Sequence, residues 1–469
     1  MMINYLEKLK KTTNISDIIY KEITINKETI TIVTIETITN SFNINQFILE
    51  KINQLKNTNL LYEYLLNNLP CISIKTVKEY NELLNYLLNG YTIIFVDNRI
   101  LAIESINFPL RSISETDYEK TITGPKDSFI ENFNTNVGLI RKRIKSIDLK
   151  LENFKIGKYS NTTIGIMYIE GICKKKLKDN ILLKLHNIKI DGIIDSGSIK
   201  KYLTSGRSFF PTIKNTERPD VASQALLEGK IIIIVDNSPN ILILPTFFID
   251  YFHTSDDYYS KKINITFIRI IRLLAFIIAI ILPAYYIAIT THNVDSIPIP
   301  LLVNILYQRS SVPFPSFIEA LILIISFEIL REGDARIPTN QGSAISILGG
   351  LVLGDAAVSA GIISPIMIIV IAISIISSLV FQSADVVNAI RWWRFIFIVL
   401  ASILGLYGIF LGILLIIINL SDTDSINQDY LYPFAPINFN EQKDGFIRFE
   451  GKIQYRNPLL SQNHIRGKK

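Results

Sequence analysis

Between residues 273 and 420 the chain nearly stops carrying charge, whereas residues 1–265 and 421–469 hold almost all of it. That split constrains the fold more than any motif does. Backbone N–H and C=O groups in an apolar block find no water in lipid and must pair within the segment. Helices satisfy that demand, so the block reads as an α-helical multi-pass transmembrane domain. The averages for the 469 residues, 49% hydrophobic and 19% charged, conceal the arrangement. The expected fold is an α/β soluble N-terminal region of two related subdomains (1–115 and 116–262), then the transmembrane helical domain (263–420) and a short polar tail (421–469).

Arg269 and Arg272 precede LLAFIIAIILPAYYIAIT, an uncharged run of about one bilayer thickness. Cations ahead of a first span place the front on the cytoplasmic side. Pro283 within the run predicts a kink. A polar, Pro-rich connection, HNVDSIPIPLLVNILYQRSSVPFP, follows. Phe317–Leu330 is then only about 14 residues, short for a straight crossing at about 1.5 Å per residue. Its acids, Glu319 and Glu328, fall on opposite sides of a helix. Glu328 has Arg331 one turn away as an ion-pair partner. Glu319 has no such neighbour, which marks it as the functional acid of the two.

Gly342, Ser346, Gly350 and Gly354 recur four apart, a row of small residues that lets membrane helices approach closely, within one chain or between copies. Asp355 adjoins the row with no cation beside it, and an acid at such a depth faces a bundle interior or water. Val312–Phe381 as a whole therefore reads as lining a passage or a subunit contact. Asp355, Glu319, Ser346 and Ser359 are its candidate ion pathway, and Gly342, Ser346, Gly350 and Gly354 its candidate subunit packing. Ile362–Phe381 is long enough to span, starting at Ser364-Pro365. RWWR (Arg391–Arg394) reads as an interface anchor. FIFIVLASILGLYGIFLGILLIIINL reads as a last span, with Gly408 and Gly412 at packing distance. A basic front and a basic end, NHIRGKK, both prefer the cytoplasm, which requires an even number of crossings; RWWR and the short Phe317–Leu330 segment leave four or five open.

The front alternates in ITINKETITIVTIETI, a strand pattern. A helix is expected over Asn45–Leu55, a strand over Cys71–Val77, and a helix in KEYNELLNYLLNG with Gly90 as its C-terminal cap. LLNGYTIIFVDN (Leu87–Asn98) recurs as LLEGKIIIIVDN (Leu226–Asn237), about 139 residues later. Each copy follows a helix and precedes a second apolar strand, so a duplicated helix–strand–strand unit is expected. Asp97-Asn98 and Asp236-Asn237 read as turns rather than as catalytic or metal pairs. In GPKDSFIENFNTNVGLIRKRIKSI, Gly124-Pro125 reads as a helix start with Asp127 in the first turn. Phe129, Phe133, Val137, Ile140, Ile144 and Ile147 give that helix an apolar stripe. Its Arg141, Lys142, Arg143 and Lys145 suit a solvated face, or a surface for anionic lipid or a partner.

Several classes are excluded. The net charge of +6 comes with no nucleic-acid-binding signature, so no nucleic acid partner is expected, and the surplus suits flanks facing an anionic leaflet. Cys71 and Cys173 form no framework, and the four histidines are too scattered for a metal site. The first residues lack a signal-peptide core and cleavage site. There is no P-loop, GxSxG, HExxH or CxxC pair, so neither an enzyme nor a cofactor is expected.

The ordered set GPKDSFIENFNTNVGLIRKRI, VPFPSFIEAL, FEILRE, GSAISILGGLVLGDAAVSAGIISP, GLYGI and YLYPFAP resembles the A subunits of the GerA-type spore germinant receptors, over roughly residues 110–440. FEILREGDARIP departs from the usual connection after FEILRE. The resemblance implies a non-enzymatic protein of the spore inner membrane, acting with a transporter-like B subunit and a lipoprotein C subunit. It implies a homo-oligomer that gates monovalent cations in response to nutrient. Two other readings stand beside it: an accessory member of the family, associated with dipicolinic acid release, and a secondary transporter, whose broken helices and midplane acids fit but whose matching halves are missing.

Overall fold

The computed structural model describes residues 2–12, 15–25, 28–53, 61–69, 73–96, 98–107, 119, 124–204, 208–254, 257, 262–334, 336, 354–437 and 459–462. After helix α1 (Met2–Thr12), the alternating stretch forms the antiparallel pair β1 (Ile18–Ile25) and β2 (Glu28–Ile35). The next helical run starts at Ser41, earlier than expected, because the Asn40 side chain caps it by accepting from the amides of Phe42 and Asn43. Strand β3 (Ile74–Val77), helix α2 (Tyr80–Leu88), and strands β4 (Tyr91–Val96) and β5 (Arg99–Glu104) complete a five-stranded antiparallel sheet of order β1-β2-β4-β5-β3.

The expected helix start at Gly124-Pro125 is corrected. Helix α3 begins eight residues later, as Phe133–Arg143, where the Asn132 side chain accepts from the Thr135 amide at 2.9 Å. Asn136 secures the lead-in segment by exchanging two hydrogen bonds with the Ile130 backbone. The Pro125 signal competes with a better cap and loses.

A second sheet contains β6 (Leu149–Ile156), β7 (Thr162–Ile169), β8 (Lys214–Thr216), β9 (Ile231–Val235) and β10 (Ile241–Leu244), in the order β6-β7-β9-β10-β8. Helices α4 (Lys175–His186), α5 (Ser196–Leu203) and α6 (Pro219–Glu228) accompany it. Counted within each sheet, both orders are first-second-fourth-fifth-third. The repeat read from twelve residues is thus a repeat of topology. Its punctuation matches too: Gly90 and Gly229 end α2 and α6 with φ of 87° and 94°, a left-handed conformation that favours glycine. Asn98 and Asn237 turn between strands with φ of 58° and 65°; Asp97 lies outside the described residues.

The two sheets share a core. Phe129 of the lead-in and Phe133, Val137 and Ile140 of α3 pack with Val33, Phe95 and Ala102 of one sheet and Leu151, Met167 and Ile232 of the other. Arg141 leaves the basic cluster altogether: its guanidinium is buried and grips the buried Asp17 carboxylate at 2.5 and 2.6 Å. Arg143 pairs with Asp127, and Lys142 and Lys145 are exposed.

Beyond the second sheet the chain becomes helical: α7 (Lys262–Thr291), α8 (Ile299–Arg309), α9 (Ser316–Asp334), α10 (Pro365–Ser378), α11 (Ala384–Leu404) and α12 (Leu406–Asp422). Helices α7 and α11 are long and apolar enough to cross a membrane, while α10 and α12 are shorter apolar helices. The connection expected to be merely polar holds α8, on which Ile299, Leu301, Val303, Leu306 and Tyr307 are exposed. The expected single last span is two helices folded back at Gly405, whose φ of 61° and ψ of −138° reverse the chain. Gly408 lets α12 meet α11: a Cβ there would lie 2.1 Å from the Leu400 carbonyl oxygen. Gly408 and Gly412 therefore pack helices within one chain.

Side-chain contacts give the helices direction. At the end nearest the second sheet, Lys200 pairs with Asp385, Phe209 stacks on Trp392, and Ser208 donates to Asn419. At the far end His292 meets the Ser402 carbonyl, Asn293 accepts from the Leu406 amide, and Thr290 bonds Ser316. Helices α7 and α11 therefore run away from the sheet, and α9 and α12 run back. The tail then returns to where α7 began. Ser425 Oγ donates to Thr212 O, Tyr430 OH donates to Pro211 O, and the Phe248 amide donates to Tyr430 O. The expected polar tail is in this part a buried clasp, with Tyr430 and Tyr432 inaccessible.

Candidate functional site in the helical bundle

Pro283 has no N–H, so the carbonyl four residues earlier, that of Ala279, loses its helical partner. In a helix without water at hand that oxygen needs another donor. It receives two. Ser374 Oγ on α10 and Arg394 Nε on α11 each donate to Ala279 O at 2.8 Å, and Arg394 Nη2 also reaches Ser374 O at 3.3 Å. Three helices are thereby tied at one broken hydrogen bond. Arg394 is only 3% exposed, so its charge is committed to the bundle interior. Only half of RWWR is thus available as the interface anchor its pattern suggests: Trp393 and Arg394 are buried, whereas Trp392 is exposed and Arg391 part-buried. The missed signal was Pro283 itself, since a proline within a span calls for a donor from elsewhere.

Toward the end of α9, Glu328 forms an ion pair with Arg331 at 2.8 Å, as the spacing predicts, and a second with Arg391 Nε at 2.9 Å. Glu319 occupies the other end of α9 and is fully buried. It does have partners, contrary to expectation, but they are remote in sequence. Its Oε2 accepts the amide and the hydroxyl of Ser364, each at 2.8 Å, which sets a carboxylate on the N-terminus of α10. Its Oε1 lies 3.6 Å from Arg309 Nε on α8, an ion pair too long to be a hydrogen bond.

Of the remaining predicted residues, Asp355 and Ser359 are exposed on the short helical stretch that begins at Gly354, and Gly342, Ser346 and Gly350 lie outside the described residues. Among the described residues nothing comes within 4 Å of a Cβ built at Gly354. The structure therefore does not bring Glu319 and Asp355 to one buried site.

The joint between sheet and bundle is ionic. Asp257 is buried and binds Arg272 at 2.8 Å and Arg269 at 3.2 Å; Arg272 also donates to Phe252 O. Burial works against the charged carboxyl, but the hydrogen bonds and charges of both arginines outweigh it and hold the Asp257 pKa below the ordinary carboxylate value. These two arginines, read from the sequence as marking the cytoplasmic side, pair with Asp257. Nearby, Phe252 packs edge-on against Phe276 of α7 and Phe381 beyond α10. Cys173, buried against the second sheet, has its thiol pushed up to about 12 by burial, which makes it unreactive. No group of three or more His, Cys, Asp or Glu residues that could hold a metal ion occurs among the described residues.

An α/β front of two sheets with one topology, joined through ion pairs to a helical bundle, defines a two-part protein with candidate membrane helices. The family model for the Bacillus/Clostridium GerA spore germination protein matches residues 5–459. Spore germination protein KA of Bacillus subtilis (strain 168) is 38% identical over 455 residues, 95% of this chain and 84% of the relative. Spore germination protein GerQA of Bacillus cereus is 37% identical over 402 residues, 85% and 81% of the two chains. The crystal structure of the N-terminal domain of the A subunit of the Bacillus megaterium spore germinant receptor GerK3 covers 52% of this chain and 94% of its own, at 32% identity and a TM-score of 0.39. The chain belongs to the GerA family of spore germination proteins.

Proposed function

We propose that this chain is the A subunit of a nutrient germinant receptor, with the helical bundle in the spore inner membrane and the α/β front on the core side. The bundle crosses the bilayer an even number of times in this reading, because the chain enters at α7 and returns at α12 to the same sheet. The observation that carries the proposal is that clasped bundle on a chain of the GerA family. Copies assemble around an axis through the segment that includes Gly354, Asp355 and Ser359, and cations pass between copies. Two facts support this path. Asp355 is exposed, and among the described residues nothing comes within 4 Å of a Cβ at Gly354. A need for small residues in that row then arises from a neighbouring copy. Acidic side chains at such a contact favour cations. A transporter-like B subunit and a lipoprotein C subunit complete the receptor, and the A subunit itself performs no catalysis.

Size measurement of the purified chain in detergent, followed by conductance in planar bilayers, tests the reading. A discrete oligomer that conducts monovalent cations, with the current reduced in Asp355→Asn, is the expected result. A monomer at all concentrations, or an oligomer that never conducts, refutes the channel.

A further inference from the structure

Near the sheet-proximal end of the bundle, two guanidinium groups, Arg331 and Arg391, pair with one carboxylate, Glu328, and the buried Arg394 follows one turn after Arg391. No other carboxylate among the described residues comes within ion-pair distance of the three. Asp385 is taken by Lys200, and Glu332 by Arg336. Residues 337–353 carry no charged side chain at all, so that stretch brings no anion. The cluster is left with an excess of positive charge.

That excess is expensive where it lies. Arg394 is buried and donates to carbonyl oxygens, while Arg331 and Arg391 are part-buried, Arg391 Nη2 donating to Asn388 Oδ1 at 3.0 Å. A guanidinium removed from water keeps its charge, since its pKa is too high for it to neutralise, and so requires an anion or acceptors. The neighbourhood indicates which anion. Trp392 is 54% exposed beside Arg391 and stacks on Phe209, itself exposed at the edge of the sheet region. Lys201 and Tyr202 of α5 are exposed close to the Lys200–Asp385 pair. Exposed tryptophan and tyrosine interleaved with cations, at the level where a soluble domain meets apolar helices, mark headgroup depth. The planar fork of arginine matches the oxygens of a phosphate group.

We infer that Arg331 and Arg391, backed by Arg394, form a binding site for a phosphate group, supplied by an anionic lipid of the leaflet on the side of the α/β front. The inference rests on the bundle lying in a bilayer, and the test separates the two. The full chain is mixed with vesicles of phosphatidylcholine alone or with phosphatidylglycerol, and flotation reports whether it enters bilayers. Native mass spectrometry of the detergent-extracted chain then reports which lipid stays bound. The expected result is retention of phosphatidylglycerol over phosphatidylcholine by roughly fivefold for each part-buried guanidinium. Arg391→Gln and Arg331→Gln each reduce the preference. Lys142→Gln, on the exposed face of α3 in the soluble front, leaves it unchanged. Because Arg391→Gln also weakens the hold on Glu328, Arg391→Lys serves as the folded comparison, keeping the charge and losing the fork. A second arm titrates inorganic phosphate against chloride. Stabilisation by inorganic phosphate without lipid preference supports the phosphate site and overturns lipid as its source. A chain that enters bilayers and shows neither preference overturns the site; a chain that never enters bilayers refutes the membrane reading instead.

Discussion

Replacing Arg394 with methionine removes one of two donors that satisfy the Ala279 carbonyl left open by Pro283. A hydrogen bond from a charged group contributes about 1.5–3 kcal/mol. Ser374 Oγ remains on the same oxygen, so the full cost of an unsatisfied carbonyl is not incurred, and methionine fills most of the vacated volume. Glu328 keeps Arg331 and Arg391. The expected loss is about 2 kcal/mol. The second perturbation is Pro283→Ala, which restores the amide that Ala279 O lacks. An interior proline costs a helix about 3 kcal/mol, but in the native background the restored amide competes with Ser374 and Arg394 for one carbonyl with two lone pairs. The buried guanidinium then loses its acceptor, which offsets the gain. In the methionine background that competition is relieved. The double variant should therefore be more stable than the two single effects predict, by roughly 1–2 kcal/mol. Reversible unfolding of the full chain in detergent micelles measures the cycle, followed by intrinsic fluorescence. Both tryptophans, Trp392 and Trp393, stand directly before Arg394, so the signal reports on α11 itself. Additivity within about 0.5 kcal/mol, or a methionine variant as stable as the native chain, refutes the account of the broken hydrogen bond.

Three further outcomes are expected. Arg141→Met strands the buried Asp17 carboxylate and should cost about 3–5 kcal/mol, seen as faster amide hydrogen exchange in β1 and β2, whereas an exposed pair would cost under about 1 kcal/mol. Asp250 is buried, which alone would raise its pKa, but Lys230 and the Phe247 amide outweigh burial and depress it. A depressed carboxyl contributes stability above its unfolded pKa of about 4 and loses it as pH falls through the folded value, so thermal melts of Asp250→Asn should show a shallower decline below about pH 4 than the native chain. Gly408→Ala should lower the melting midpoint in detergent by the equivalent of about 1–3 kcal/mol, because the new Cβ meets backbone at 2.1 Å within the chain.

Periodicity and punctuation made the front legible. The alternation in β1 and β2, the glycine closing α2, and the repeated LLNG/LLEG strands all report local geometry, and local geometry is what short patterns encode. Pro125 misled because two start signals lie close together and the capping strength of Asn132 decides between them. The bundle was legible only in outline. Hydropathy has no term for a reversal inside an apolar run, so Gly405 was invisible within what reads as one span. Glu319 had no neighbour in its own helix, yet Ser364 lies 45 residues on and at hydrogen-bond distance. RWWR carries the composition of a membrane anchor, and only the third dimension shows that Arg394 turns inward. The clasp of Tyr430 and Ser425 on the second sheet is likewise a long-range contact with no periodic signature.

The two ends of the helical segment are held by the same sheet, one through Asp257 and its arginines, the other through Ser425 and Tyr430. Mechanically this is a loop clamped at its base. The sheet-proximal ends of α7 and α12 cannot separate without straining the platform beneath them, so relative motion in the bundle must be taken up further out. Pro283 and Gly405 are the places where the backbone is already interrupted. A movement started in the α/β front would thus be delivered to the far end as bending, with the clamped base acting as its fulcrum.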